Sequence, residues 1–452
     1  MRTVTDVSGE WTRDDDRDPR GLRVVDTPMQ GAVDIRVPVE RPVLLGREPG
    51  PKGLAILDPR MSSSHVSIYP EPSGDLLFRD MGSKNGTFVN GQRAVGGRLT
   101  EGDVLRMGST LLVVSRRGPD FAYESAKAGL IGDAPPFREA LERARSAASR
   151  DMPVLIQGET GSGKEGIARY IHTESGRRGA FIAVNCAALN ESMADAALFG
   201  HERGAFTGAT QSRKGFFGEA AGGTLFLDEI GDLPQTIQPR LLRALEQREI
   251  TPVGAARPAR VDVRVVAATH VDLRRAVNRE TFRNDLYARL AGWPVELPAL
   301  RDRREDILRL ARFFLGRAPS QVPYGEPLFD ADLGEAMLLS SWPFNVRELR
   351  QVAEAIAIEG TVPYGYDDLP RQLSRERSTV EQPSPFRHPL AGHVSSATTP
   401  KPRRRVRPSR TELALVLSEE GFNVSAVARR YDRDRKQIYR WLTHYDIPLE
   451  DQ

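Results

Sequence analysis

The chain has 452 residues, 39% of them hydrophobic and 28% charged, with a net charge of +3. That makeup suits a soluble protein of several domains and excludes a polycation. It also excludes a chain threaded through a membrane by an apolar run of about 18 residues. The single cysteine, Cys186, leaves no internal disulfide and no cysteine-based metal site.

In chain order, the polar stretch 1–23 predicts a disordered leader and a cytoplasmic protein. Residues 24–116 predict an all-β part. "VDIRVPVE" (33–40) alternates apolar and polar residues at period two, and short apolar runs such as "LAILD", "HVSIYP", "LLFRD" and "TLLVVS" are separated by Gly, Pro, Asn and Ser. A linker at 117–125 leads to an α/β part at 126–300, where "PVLIQG", "TLFLDE" and "VRVVAAT" have the composition of strands in a parallel sheet covered on both faces. Residues 301–372 complete this folded part. Residues 373–408, rich in Pro, Ser, Thr and Arg, predict a disordered basic linker, and 409–452 a small helical domain. From Lys401 to Trp441, 12 Lys/Arg stand against 5 Asp/Glu, a local +7 that suits nucleic acid or, equally, a solvated linker.

The chemistry concentrates in the α/β part. "GETGSGKE", that is Gly158, Glu159, Thr160, Gly161, Ser162, Gly163, Lys164 and Glu165, follows an apolar run and precedes a helical one. Strand, glycine loop and helix together turn backbone N–H groups toward phosphate, with Lys164 reaching the β- and γ-phosphates of ATP. "GGTLFLDEIG" ends an apolar strand in Asp228-Glu229. Asp228 is suited to hold Mg²⁺ and Glu229 to orient and deprotonate the attacking water.

With those motifs, and with "FIAVNCAAL", "LFGHERGAFTGA", "LLRALEQREITPVG", "FRNDLYARL" and "NVREL", residues 126–372 resemble the bacterial enhancer-binding proteins, the AAA+ activators of sigma-54 RNA polymerase. The resemblance implies an α/β AAA+ ATPase with a helical lid, working as a ring, usually a hexamer. It implies roles residue by residue. Asn185 is the switch that holds Glu229, and Thr269 and His270 are the sensor near the γ-phosphate. Arg283 and Arg289 are fingers reaching a neighbouring subunit's ATP, and Arg347 is the second sensor. His270 stands where many members have Asn, and Phe344 where the family usually has Gly. "GAFTGA" (Gly204, Ala205, Phe206, Thr207, Gly208, Ala209) is the family's signature loop, which grips sigma-54. Small residues allow a tight hairpin, Phe206 an apolar anchor and Thr207 a hydroxyl contact.

The ends resemble known modules too. "NVSAVARRYDRDRKQIYRWLTHYDI" (423–447) is similar to the helix-turn-helix of the same activators. Val424, Val427, Ala428, Ile438, Trp441 and Leu442 are expected inward. Arg433, Arg435, Lys436, Gln437 and Arg440 are expected to face enhancer DNA. Residues 24–116, with "LLGREPG", "RMSSSHVSI" and "DMGSKNGTFVNG", resemble a forkhead-associated β-sandwich. That implies Arg47 and Ser62 on a phosphothreonine, Asn85 on the peptide backbone and His65 bracing the loop, with Ser63 where many members carry Arg. The expected partners are therefore sigma-54 RNA polymerase, enhancer DNA, further copies of the chain, and a phosphothreonine protein or Ser/Thr kinase. The rival readings are a protein remodeller or DNA translocase that does not act on sigma-54, and a DNA-binding scaffold without ATPase activity.

Overall fold

The computed structural model describes residues 2–3, 20–28, 32–51, 53–116, 129–316, 328–359 and 364–366, and, toward the C-terminus, 413, 416–417, 427–428, 431 and 435–445. It forms two compact units, Met1–Glu381 and Gln382–Gln452. The expected linkers, 117–125 and 373–408, lie outside the described residues.

The first unit begins with a β-sandwich of strands β1 (Arg2–Thr3), β2 (Gly21–Asp26), β3 (Arg36–Pro38), β4 (Val43–Gly46), β5 (Leu54–Ala55), β6 (Val66–Pro70), β7 (Leu76–Asp80), β8 (Thr87–Val89), β9 (Gln92–Ala94), β10 (Gly96–Leu99), β11 (Val104–Met107) and β12 (Thr110–Ser115). One sheet runs β1-β5-β4-β6-β7-β10 and the other β3-β2-β12-β11-β8-β9. The sandwich therefore starts earlier than the sequence predicts: β1 and the first half of β2 fall in the stretch expected to be a disordered leader. The alternating run 33–40 yields only the short β3, because Asp34 adopts φ +68° ahead of it.

Between the sheets lie Leu22, Val24, Leu45, Val66, Ile68, Leu105, Leu112 and Val114. The second sheet is buried on its other face as well. There Val25, Val104, Leu111 and Val113 join Ile307, Leu308, Phe329, Leu333 and Trp342 of the helical lid in one apolar cluster. This explains why "TLLVVS" does not alternate: in β12 odd and even residues alike find apolar cover. The sandwich is thus packed on the lid, not a separate body as the linker at 117–125 suggested.

The α/β part is a parallel sheet of β13 (Val154–Gln157), β14 (Phe181–Asn185), β15 (Thr224–Asp228), β18 (Arg264–Thr269) and β19 (Pro294–Glu296), in the order β14-β15-β18-β13-β19. A small hairpin, β16 (Glu249–Ile250) and β17 (Ala259–Arg260), stands apart from it. Helices α1 (Pro135–Ala148) and α2 (Lys164–Glu174) are followed by α3 (Glu191–Phe199), α4 (Gly215–Glu219), α5 (Gln238–Gln247), α6 (Leu273–Asn278) and α7 (Asn284–Leu290). Val154, Ile156, Phe226, Val266 and Ala268 pack on the side of α1 and α2, while Leu155, Leu225, Leu227, Val265 and Ala267 pack on the opposite side. A strand that alternates between two apolar layers must be apolar throughout, which is what the sequence displays. The lid is built from α8 (Ile307–Phe314), α9 (Ala331–Leu339) and α10 (Asn345–Glu359).

In the second unit, α11 (Arg435–His444) places Ile438, Trp441 and Leu442 in a cluster with Val427 and Ala428 and with Leu413, Val416 and Leu417. The three residues from the 413–417 region extend the core beyond the two expected helices. Val424 lies outside the described residues.

Candidate nucleotide site and its satellite loops

The carboxyl ends of β13, β18, β15 and β14 lie side by side, the place where open parallel sheets present their ligand crevice. Gly158 follows β13, Thr269 ends β18, Asp228 ends β15, and Asn185, its register partner, ends β14. The glycine loop is shaped by two demands. Gly161 has φ +77°, and a Cβ there would lie 2.1 Å from the Phe344 carbonyl oxygen. Gly163 has φ +108° and leads into α2.

Lys164 is buried. Its Nζ donates to the Gly158 carbonyl at 3.1 Å and to Glu229 Oε1 at 3.3 Å. Glu229 sits at φ +49°, a left-handed conformation that costs a non-glycine residue on the order of 1–3 kcal/mol and that clusters at functional sites. Its other oxygen accepts from His270 Nδ1 at 2.6 Å and from the His270 backbone N–H at 3.2 Å. Burial alone would raise the Glu229 carboxyl. The His270 hydrogen bonds and the Lys164 charge outweigh it and hold Glu229 below its ordinary value, so the residue expected to act as base stays ionised. Asp228 moves the other way, raised by burial and by the neighbouring Glu229 charge. Asn185 Oδ1 accepts from the Ala187 backbone N–H at 3.0 Å, and the Glu229 carboxylate is held by His270. Thr269 is buried, and its carbonyl accepts from the Gly158 N–H at 3.2 Å, tying the sensor strand to the loop. Glu165 is exposed and pairs with Arg169 one turn on.

The lid closes over the same loop. Asn345, buried at φ +53°, donates to Glu159 Oε2 at 3.1 Å and to the Thr160 carbonyl at 3.0 Å. Arg301 pairs with Glu159, and Arg303 Nη2 donates to the Ser162 carbonyl at 2.7 Å. These lid contacts were not foreseen, apart from Arg347, whose Cβ lies 3.1 Å from where a Gly161 Cβ would stand. The turn tolerates Phe344 because its left-handed residues are Trp342 and Asn345, with Phe344 exposed between them.

The expected fingers are exposed. Arg283 caps the start of α7 and pairs with Asp285, and Arg289 reaches the Leu245 carbonyl from the last turn of α7. In the 204–209 stretch Gly204 and Gly208 take φ +81° and +101°. The Gly204 N–H donates to the Ala209 carbonyl, closing a tight loop. Phe206 rests its ring 5.0 Å from that of His201, Thr207 is exposed, and Ala209 is buried.

At the loop end of the sandwich, the Ser62 N–H donates to His65 Nδ1 at 3.1 Å, and His65 Nε2–H donates to the Gly86 carbonyl at 3.3 Å. That is the neutral tautomer, and burial holds the buried ring below the ordinary histidine value. Ser62 Oγ accepts from the Lys84 N–H, and Asn85 Nδ2 donates to the Arg60 carbonyl at 2.6 Å. Arg47 is half-buried beside Pro59, and Ser63 is exposed. Two aspartates build these loops and were missed. Asp58 accepts from Arg60, Ser109 and Thr110, while Asp80 accepts from Gly82, Ser83 and Thr87. The signal was available, since "DPR" and "DMGS" are aspartate-led turns. On α11, Gln437 is half-buried and Arg440 exposed; Arg435 and Lys436 fall within the helix, and Arg433 lies outside the described residues.

The Sigma-54 interaction domain matches residues 130–296, the FHA domain 43–108, the AAA+ ATPase lid domain 301–385 and a Homeodomain-like domain 400–447. The transcriptional regulatory protein ZraR of Klebsiella oxytoca is 46% identical over 241 residues, 53% of this chain and 54% of that protein. GlrR of Escherichia coli is 37% identical over 329 residues, 73% of this chain and 70% of that protein. The Psp operon transcriptional activator of Escherichia coli is 46% identical over 324 residues, 71% of this chain and 96% of that protein. The chain spans about half the length of ZraR. It belongs to the family of sigma-54-dependent transcriptional regulators, with an FHA domain, an AAA+ domain and a helix-turn-helix.

Proposed function

We propose that this chain activates transcription by hydrolysing ATP in a ring of its own copies and using the stroke to remodel sigma-54 RNA polymerase to the open complex. The observation that carries this is the meeting of Lys164, Glu229 and His270 at the ends of β13, β15 and β18, in the same domain as the 204–209 loop. Lys164 and the loop N–H groups bind the phosphates, and Glu229, kept ionised, takes the proton of the attacking water. Thr269 and Arg347 flank the same loop. The donors fit Mg²⁺, with Asp228 supplying one hard oxygen at the strand end and no all-protein cage of three or more ligands among the described residues. When bound, Mg²⁺ neutralises charge on the β- and γ-phosphates.

Arg283 and Arg289 complete the site of a neighbouring copy, so turnover depends on assembly. The Gly204–Ala209 loop carries the output, with Phe206 leaving His201 to contact sigma-54. The helix-turn-helix holds the ring on enhancer DNA through Arg433, Arg435, Lys436, Gln437 and Arg440. The sandwich gates assembly by reading a phosphothreonine with Arg47, Ser62 and Asn85. Among the described residues no helix is long and apolar enough to cross a membrane, and a cytoplasmic site of action follows from the DNA and polymerase partners.

The test is open-complex formation with purified sigma-54 polymerase and, separately, with polymerase carrying the common sigma factor. Remodelling of the first alone is expected, and remodelling of neither would sink the reading. Calorimetry of the full chain with a phosphothreonine peptide library, against unphosphorylated peptides, tests the gate.

A further inference from the structure

The lid opens on a run of charged residues, of which Arg303, Arg304, Glu305 and Asp306 each reach a different part of the first unit. Arg303 donates to the Ser162 carbonyl of the nucleotide loop at 2.7 Å and lies over the Phe137 ring. Arg304 donates to the Gly102 carbonyl of the sandwich at 2.9 Å. Glu305 meets Arg23 of β2 at 3.3 Å and Arg36 of β3 at 3.7 Å. Asp306 accepts from the Asp133 and Ala134 N–H groups at 2.6 and 3.0 Å, capping α1, whose own Ala134 has no side chain for the task. Arg303, Glu305 and Asp306 are all buried. Arg23, only 1% exposed, also pairs with Asp133 at 2.9 Å and so grips both the turn and the start of α1.

We infer that Arg23 of the β-sandwich is a positioning residue for the nucleotide loop, acting through Glu305 and Arg303 on Ser162. A buried carboxylate that loses the nearer of its two guanidiniums, Arg23 at 3.3 Å with Arg36 left at 3.7 Å, must move toward Arg36, protonate or find water, and each shifts the backbone that carries it. Glu305 is two residues from Arg303 in a single tight turn. A shift there is passed to the Ser162 carbonyl, because a buried guanidinium at 2.7 Å from its acceptor has little slack. The sandwich is then part of the ATP site's mechanical frame, and any ligand that shifts β2 changes ATP affinity, with the reciprocal effect required by linkage. The inference rests on the proposed reading that the loop binds ATP.

The experiment measures binding of a fluorescent ATP analogue, and KM and kcat for ATP, on the full chain. Arg23→Ala, Glu305→Gln and their combination are compared with Arg106→Ala. Arg106 crosses the same seam but pairs with Glu335 at 3.2 Å and Asp332 at 4.0 Å on α9, and not with the charged turn that reaches the loop. Arg23→Ala is expected to weaken nucleotide binding fivefold or more, with KM raised more than kcat falls. Glu305→Gln should do the same, and the pair should be no worse than either alone. Arg106→Ala should leave affinity within twofold. Equal effects from Arg23→Ala and Arg106→Ala, or none from Arg23→Ala, would overturn the inference. Should Arg23→Ala not fold, Arg36→Ala and Arg23→Lys take its place; lysine lacks the fork that spans Glu305 and Asp133, and an unchanged affinity in both would equally overturn it. A wild-type chain that binds no ATP would instead remove the ATPase reading.

Discussion

Arg312 and Arg283 carry the same guanidinium and each pairs with an aspartate, yet the pairs have different uses. In the seam between sandwich and lid, the side chains of Arg312 and Asp26 are 7% and 1% exposed, with Nη2 2.7 Å from Oδ1 and 2.5 Å from the Val25 carbonyl. On α7, those of Arg283 and Asp285 are 49% and 44% exposed. A charge removed from water must keep its partner, so Arg312 belongs to the fold. An exposed ion pair contributes little and exchanges readily, so Arg283 can trade Asp285 for a neighbour's phosphate. Burial, not residue type, separates the arginine held in the fold from the one proposed as a finger.

The largest expected effect tests the exposed side. Arg283→Ala should lower ATP turnover about 10³-fold or more, the usual worth of a finger in P-loop enzymes, while ATP binding persists. Mixing it with Lys164→Ala should restore part of the activity, since a mixed ring joins an intact arginine to an intact loop. A variant that loses ATP binding, or keeps its turnover, breaks the comparison. On the buried side, Arg312→Ala should destabilise the first unit by about 3–5 kcal/mol, because Asp26 is left buried and unpaired. Burial already pushes the Asp26 carboxyl upward against the pull of Arg312. Replacing both, with Arg312→Met and Asp26→Leu, should recover most of the loss in urea unfolding. If the single and double variants unfold alike, the ion pair is not what matters there.

Arg47 falls between the two, half-buried beside Pro59. Arg47→Ala should weaken phosphothreonine-peptide binding about 10- to 100-fold, the worth of a hydrogen bond to a charged group at ~1.5–3 kcal/mol, with the melting temperature unchanged. Equal binding of phosphorylated and unphosphorylated peptide would remove the sandwich from the functional side altogether.

The same contrast explains what the sequence revealed. The apolar runs of β13, β15 and β18 and the glycine loop were legible because each feature is local: a run length, a glycine where φ is positive, a carboxylate at a strand end. Trp441, Leu442 and Ile438 were legible as the inner face of a helix. The seam was not. Its ion partners stand far apart in the chain, as Arg23 and Glu305 do, and only the missing alternation in "TLLVVS" and "GLRVVD" hinted at a second covered face. The partner of Glu229 was illegible for another reason. Asn185 and His270 both lie on strand ends beside it, and side-chain geometry, which spacing does not encode, gives the carboxylate to His270.

The smallest effect concerns His65, which is buried like Arg312 but neutral. Its Nδ1 accepts from Ser62 and its Nε2–H donates to Gly86, so a second ring proton would break the first of these bonds in a buried place. Burial holds its folded value below the ordinary one. With the folded value depressed, the unfolded chain binds the extra proton first. Stability is then fully present above the unfolded histidine value, about 6.5, and is lost as pH falls from there toward the folded value. One such group contributes a slope of at most about 1.4 kcal/mol per pH unit. His172, lowered by burial and by Arg177, adds a slope of the same sign, so the difference between wild type and His65→Gln isolates the loop histidine. Denaturation at a series of pH values should give His65→Gln the shallower dependence below about pH 6.5. Parallel curves would mean that His65 binds its second proton equally well in the folded and the unfolded chain, and that the Ser62–His65 bond adds no pH-dependent stability.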